Sequence, residues 1–181
     1  MLALELVERL RQVSPATANL VMTLALPSII PLASGLGIRV EEVSETRSRS
    51  RLPLKRRTRN HVGSIYFGAQ MTVMEVTMGM LVFRHFPMGP YKALVNRVES
   101  DFHAKAKGTV FAVCEPPAEV LASFRDALRQ SGDKVEGWVP VRLEAEDGSL
   151  VAEARFLVAL KREPAPISWL SRTLCDSSSG G

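Results

Sequence analysis

The stretch IYFGAQMTVMEVTMGMLVF, residues 65–83, decides the fold. It offers about five turns of helix, contains no proline, and carries a single charge, Glu75. A helix that is apolar nearly all round is expected to be buried on most of its surface. Just before it, residues 60–64 (NHVGS) are turn formers, so the helix starts abruptly out of a loop.

Reading outward toward the N-terminus, a loop rich in Lys and Arg leads to Asn60. Residues 47–54 (RSRSRLPL) alternate with the period of a strand, and Ile38, Val40 and Val43 suggest another strand before it. Residues 2–12 place Leu2, Leu6 and Leu10 on one stripe with most charges off it, an amphipathic helix. Ser14-Pro15 supplies a cap and first-turn pair for a second helix from about Ala16. Pro27 is expected to end that helix, and a third short one to run to about Ser34, closed by Gly35 and Gly37.

Toward the C-terminus, Pro87, Gly89 and Pro90 punctuate the chain. Residues 91–103 and 108–115 read as two strands joined by a turn near Lys105-Ala106-Lys107-Gly108. Pro116-Pro117 opens an amphipathic helix over 117–131. Residues 134–145 and 149–161 read as strands joined at Asp147-Gly148, the clearest hairpin signal in the chain. An antiparallel sheet whose concave face wraps the apolar helix satisfies this order, an α+β class. The expected division is a helical extension over 1–36, the sheet and its helix over 37–163, and a flexible polar tail over 164–181. A sheet of this kind usually buries its remaining surface against a second copy, so a homodimer is expected, with stacking of dimers into tetramers left open.

Composition sets outer limits. The 181 residues suit one core of ordinary size, 46% of them apolar and only 6% aromatic. The net charge of +4 favours an anionic partner without identifying one. The apolar run over 20–36 is short for a membrane span and is broken by Pro27 and Pro31, so no stable span is expected, although a seat on a membrane surface stays open. Cytoplasm is the default location. Cys114 and Cys175 give neither metal spacing nor a disulfide framework, and Cys114 in its apolar run reads as a small buried hydrophobe. The histidines and carboxylates do not fall at metal-ligand spacing, so no metal is expected.

Glu75 is flanked by Val73, Met74, Val76, Thr77 and Met78. A carboxylate enclosed there would cost several kcal/mol if charged and unpaired. It reads either as a general base or nucleophile of tuned pKa, or as a Glu at a dimer seam paired with an Arg or with backbone groups. The first backbone amides of the helix have no internal partners and, with the helix dipole, are able to hold a developing oxyanion. Phe67 and Glu75 lie about 12 Å apart along the axis, too far to act on one carbonyl within one chain. Two antiparallel helices meeting at a dimer interface would set Phe67 of one copy against Glu75 of the other.

The run NHVGSIYFGAQMTVMEVTMG, residues 60–79, resembles the motif region of hotdog-fold thioesterases of the phenylacetate-degradation type, and looks most like an uncharacterised branch of that superfamily. Those enzymes carry an Asn, then His-Gly-Gly, then an acid on the central helix. Asn60 falls on the Asn, Tyr66-Phe67-Gly68 on the His-Gly-Gly, and Glu75 on the acid. The stretch VESDFHAKAKGTVFAV, residues 98–113, is similar to the family's segment after the helix. The resemblance implies a hotdog fold and hydrolysis of an acyl-CoA or acyl-carrier thioester, with Glu75, Asn60, Phe67 and Gly68 in the catalytic site. It implies no cofactor beyond the coenzyme A of the substrate. Tyr66 replaces the His and Phe67 the first Gly, which keeps alive a non-catalytic hotdog module that binds a fatty acyl ligand or a partner protein.

Around that site, Asn60 suits either the orientation of a water or thioester carbonyl, or a turn cap. Tyr66 suits a donor or a core aromatic. His61 suits a base or a solvated loop residue. Arg56, Arg57 and Arg59, with Lys105 and Lys107, suit coenzyme A phosphates or a charged edge that resists aggregation. Nucleic acid is not expected, because the basic run lacks interleaved aromatics.

Overall fold

A computed structural model describes residues 2–131 and 134–163, and the tail expected from residue 164 lies outside them. Helices α1 (Leu2–Val13) and α2 (Pro15–Ile29) precede a 3-10 turn (Pro31–Ala33) and strands β1 (Arg39–Val43) and β2 (Ser48–Leu52). Then come α3 (Phe67–His85), β3 (Tyr91–Phe102), β4 (Val110–Cys114), α4 (Ala118–Ser131), β5 (Lys134–Ala145) and β6 (Leu150–Arg162). The strands form one antiparallel sheet among the described residues, in the order β1-β2-β4-β5-β6-β3.

Two expectations need correction. Pro27 does not end the second helix, which runs on to Ile29. The proline stands in the last turn, where only one ladder bond is lost, and the helix closes normally with Ile30 N–H donating to Leu26 O at 2.8 Å. Strands β3 and β4 are not neighbours. β3 pairs along its length with β6 at the far edge, from Tyr91 opposite Arg162 to Phe102 opposite Ala152, while β4 sits between β2 and β5. The segment 103–109 therefore crosses between two places in the sheet and is no hairpin turn. The true hairpin is at Asp147-Gly148. Gly148 has φ +83°, and the Asp147 carboxylate accepts from Ser149 Oγ at 2.6 Å and from Ser149 N–H at 3.0 Å.

Helix α3 lies in the concave face and packs on β2, β4 and β5. Val73, Met74, Thr77, Leu81 and Val82 are buried there. Two polar groups on this contact are matched, Thr77 Oγ1 donating to Val73 O and Ser48 Oγ on β2 to Thr77 O, each at 2.6 Å, whereas the buried hydroxyl of Ser50 has no partner among the described residues. The inward face of β2 is Ser48, Ser50 and Leu52, so Arg49 and Arg51 turn the other way. Helix α4 covers the end of the sheet, its Phe124 ring resting on Gly137 of β5. A Cβ on Gly137 would stand 2.8 Å from the ring, so this approach needs glycine.

The two sheet edges are treated differently. Three side chains of the helical extension bind the backbone of β1: Thr23 Oγ1 accepts from Val40 N–H at 3.0 Å, Asn19 donates to Glu41 O at 2.6 Å, and Arg11 donates to Val43 O at 2.7 Å. That edge is closed to further strands. At the other edge, β3 from Lys92 to Phe102 has no backbone partner on its outer side among the described residues, and Leu94, Val98 and Phe102 are exposed. Among the described residues no helix is long and apolar enough to cross a membrane.

Phe124 is buried against both α3's cluster and Gly137. Phe124→Ala is expected to destabilise the protein by about 3–5 kcal/mol in urea unfolding.

Candidate functional site

The loop before α3 is built by Asn60. Its Oδ1 accepts from the N–H groups of Val62 and Ser64 at 3.1 and 3.0 Å, and its Nδ2 lies 3.0 Å from Ser64 Oγ. The chain reverses through Gly63 at φ +81°. Asn60 N–H donates to Ser64 O at 2.8 Å, which closes the loop. The side chain of Asn60 is thus engaged within its own turn, the capping arrangement that the sequence offers as one of two readings. His61 is exposed on the same loop.

The start of α3 is fixed from two sides. Tyr66 N–H donates to Thr58 O at 2.7 Å, and Ile65 N–H donates to Ala106 O at 2.9 Å. The second bond brings the crossing segment to the helix start, with the exposed Lys105 and Lys107 on either side of buried Ala106. Gln70, which the sequence reading passed over, is buried one turn into the helix and donates to Ile65 O at 2.8 Å, while its Oε1 has no partner among the described residues. An amide in an otherwise apolar run was the available signal.

The amides of Phe67 and Gly68 have no acceptor among the described residues, as the first turn of a helix requires unless a side chain caps it. The ring of Tyr66 lies over Gly68, where a Cβ would stand 2.7 Å from it, and 4.8 Å from the Phe67 ring. Phe67 in turn meets Phe102 of β3 edge to face at 6.4 Å. Tyr66 is therefore an exposed ring over the helix start and not a core aromatic.

Glu75 departs from the expectation of an enclosed acid. It is exposed, and among the described residues it forms no hydrogen bond or ion pair. The sheet covers α3 on most sides but leaves open one stripe at i, i+4 spacing: Phe67, 56% exposed, then half-buried Met71, exposed Glu75 and half-buried Gly79. The helix-facing residues Val98 and Phe102 of β3 are exposed alongside. Two hollows in the single chain, of about 310 and 470 Å³, include neither Glu75 nor Asn60. Lys105 and Lys107 line the smaller one.

The basic segment divides into two parts. Arg47 pairs with Glu42 at 2.6 Å, and Arg49 pairs with Glu41 at 2.7 Å while lying over the Phe111 ring. These arginines are part of the sheet. Arg56, Arg57 and Arg59 are exposed and have no acidic partner among the described residues. Arg57 lies over Gly35, and Arg59 bridges to Ile65 at the helix start. Cys114 is buried, and burial pushes its thiol up to about 12, only partly countered by a hydrogen bond with Ser48. At neutral pH it is a protonated thiol with no role as a nucleophile.

A family model described as Domain of unknown function (DUF4442) matches residues 18–160. The chain belongs to this family. No curated protein matches this DUF4442 chain. Among solved structures, it is similar to a protein of unknown function from Pseudomonas aeruginosa, named a probable thioesterase: 26% identity over 79% of this chain and 95% of that one, TM-score 0.70. A thioesterase candidate from Shewanella oneidensis is 18% identical over 88% of this chain and 99% of that one, TM-score 0.64. A mutant thioesterase, also from Pseudomonas aeruginosa, is 18% identical over 73% and 86%, TM-score 0.59. The architecture of the DUF4442 chain is the hotdog fold, with α3 as its central helix.

If Asn60 serves its loop, the acceptor oxygen matters and the amide nitrogen matters less. Asn60→Asp is expected to keep nearly all stability, and Asn60→Ala to lose about 1–2 kcal/mol, as read by thermal unfolding.

Proposed function

We propose that this chain is an acyl-thioester hydrolase whose site is completed by a second copy. The observation that carries the reading is Glu75: a carboxylate without a partner among the described residues, on the stripe of α3 that the sheet leaves open, and on the same stripe as the helix-start amides, which likewise have no acceptor among the described residues. The thioesterase names of the Pseudomonas and Shewanella neighbours support the same class.

The second copy is argued from the unused edge. An open strand with exposed Leu94, Val98 and Phe102, beside an exposed helix stripe, is the surface a homodimer would cover. With the two α3 helices antiparallel across it, the start of one helix meets the middle of the other. The separation of about 12 Å between Phe67 and Glu75 within one chain is then no obstacle.

In the hydrolysis, Glu75 takes a proton from water as its oxygen adds to the thioester carbonyl. The amides of Phe67 and Gly68 from the other copy hold the resulting oxyanion. Collapse expels the thiolate, which takes the proton back from Glu75 and leaves a free carboxylic acid. Asn60 shapes the loop that aims the helix start and is open to hydrogen bonding through its remaining surface. Tyr66 and His61 border the acyl entrance. Arg59, Lys105 and Lys107 flank the helix start and meet the phosphates of coenzyme A or a carrier's phosphopantetheine, with Arg56 and Arg57 extending the positive field.

A second reading, a hotdog module that holds an acyl ligand without turning it over, is favoured by Asn60 being engaged in its own turn.

Assayed against a panel of acyl-CoAs, Glu75→Gln is expected to lower kcat by about two to four orders of magnitude with little change in KM. Turnover unchanged in that variant would remove Glu75 from the mechanism, and a retained acyl ligand with no turnover in the wild type would favour the binding module. Phe102→Asp is expected to halve the native mass by light scattering and to abolish turnover together with it. A monomeric variant with full activity would refute the shared site.

A further inference from the structure

The outer face of α2 presents a surface that the hydrolase reading does not use. This helix contains no charged residue. Ala18, Asn19 and Leu26 turn inward onto β1, and the opposite face carries Leu20 and Leu24, 58% and 70% exposed. Leu32, 71% exposed, adds a further apolar side chain in the 3-10 turn that follows. A solvent-facing helix surface ordinarily carries charge. Here, large side chains four residues apart point away from the core with none between them.

The end of this surface is ringed by cations. After the 3-10 turn the chain passes through Gly35 and Gly37, at φ +80° and +74°. The Arg57 side chain lies over the first and the Lys55 side chain over the second, so closely that a Cβ at either glycine would collide with it. Lys55, Arg56 and Arg57 are exposed, as is Arg39 at the start of β1, and none has an acidic partner among the described residues. Several other arginines of the sheet, Arg49, Arg142 and Arg155 among them, are paired with glutamates. Positive charge is left uncompensated where the apolar surface ends.

We propose that this face, Leu20, Leu24 and Leu32 with Lys55 and Arg57, seats the protein on an anionic lipid surface. Leucines at the outer face would enter the headgroup boundary while the cations from the neighbouring loop meet lipid phosphates. Charge complementarity selects lipid over a second copy of this chain, whose matching helix face offers no acidic residue to meet these cations.

The experiment is co-sedimentation of the full chain with vesicles of phosphatidylcholine alone and of phosphatidylcholine mixed with phosphatidylglycerol, at low and high salt. Binding to the mixed vesicles, weakened by salt, is expected, with little to the neutral ones. Lys55→Gln with Arg57→Gln should weaken it roughly fivefold for each charge removed. Leu20→Gln with Leu24→Gln should weaken it by on the order of tenfold or more, both double variants melting as the wild type does. No binding, or equal binding to both vesicle types, overturns the proposal. So does a leucine variant whose vesicle binding is unchanged while its native mass falls, which would assign the face to self-association. If the leucine variant does not fold, the charge variant alone decides.

Discussion

The enclosure of α3 by the sheet is the constraint on which the rest depends. A helix whose first seventeen residues carry a single charge cannot stand in water, and the sheet curves around it because Val, Leu and Ala on the inner faces of β4, β5 and β6 need an apolar surface to meet. A curved sheet cannot close entirely around a rod while both of its edge strands stay separate. One stripe of the helix is left over, and everything of chemical interest lies on it: the helix start at one end, Glu75 in the middle, and an uncovered strand beside it.

The two edges show how the chain distinguishes a surface to be closed from one left available. At β1, Arg11, Asn19 and Thr23 supply hydrogen bonds to backbone groups that another strand would otherwise satisfy. Those residues belong to the helical extension, which gives that extension a structural purpose independent of any substrate. At β3 nothing comparable is present among the described residues, and Leu94, Val98 and Phe102 stand exposed among its polar side chains.

Much of this was legible in the sequence, and what was not has physical causes. The elements themselves follow from periodicity and turn chemistry, since both act over a few residues: RSRSRLPL at 47–54 and Asp147-Gly148 needed no distant information. The placement of β3 at the far edge was not legible, because pairing with β6 is decided by the apolar face that β6 offers and not by the short segment 103–109. The exposure of Glu75 was hidden for a related reason. An apolar run reports that a helix is covered but not which side lacks a cover. Gln70 was missed, and the exposure of Tyr66 was not legible, because their places depend on how the helix start is held, by Thr58 and Ala106 from separate parts of the chain.

The position of β3 has a consequence during synthesis on the ribosome. Its sole strand partner among the described residues, β6, lies some fifty to seventy residues later in the chain. At translation rates of about 5–20 residues per second, β3 waits several seconds with both edges unsatisfied and with Leu94, Val98 and Phe102 available to other nascent chains. Neighbouring ribosomes on one message hold identical strands at high local concentration. The edge suited to bringing two finished copies together is therefore also a strand through which unfinished copies are able to meet.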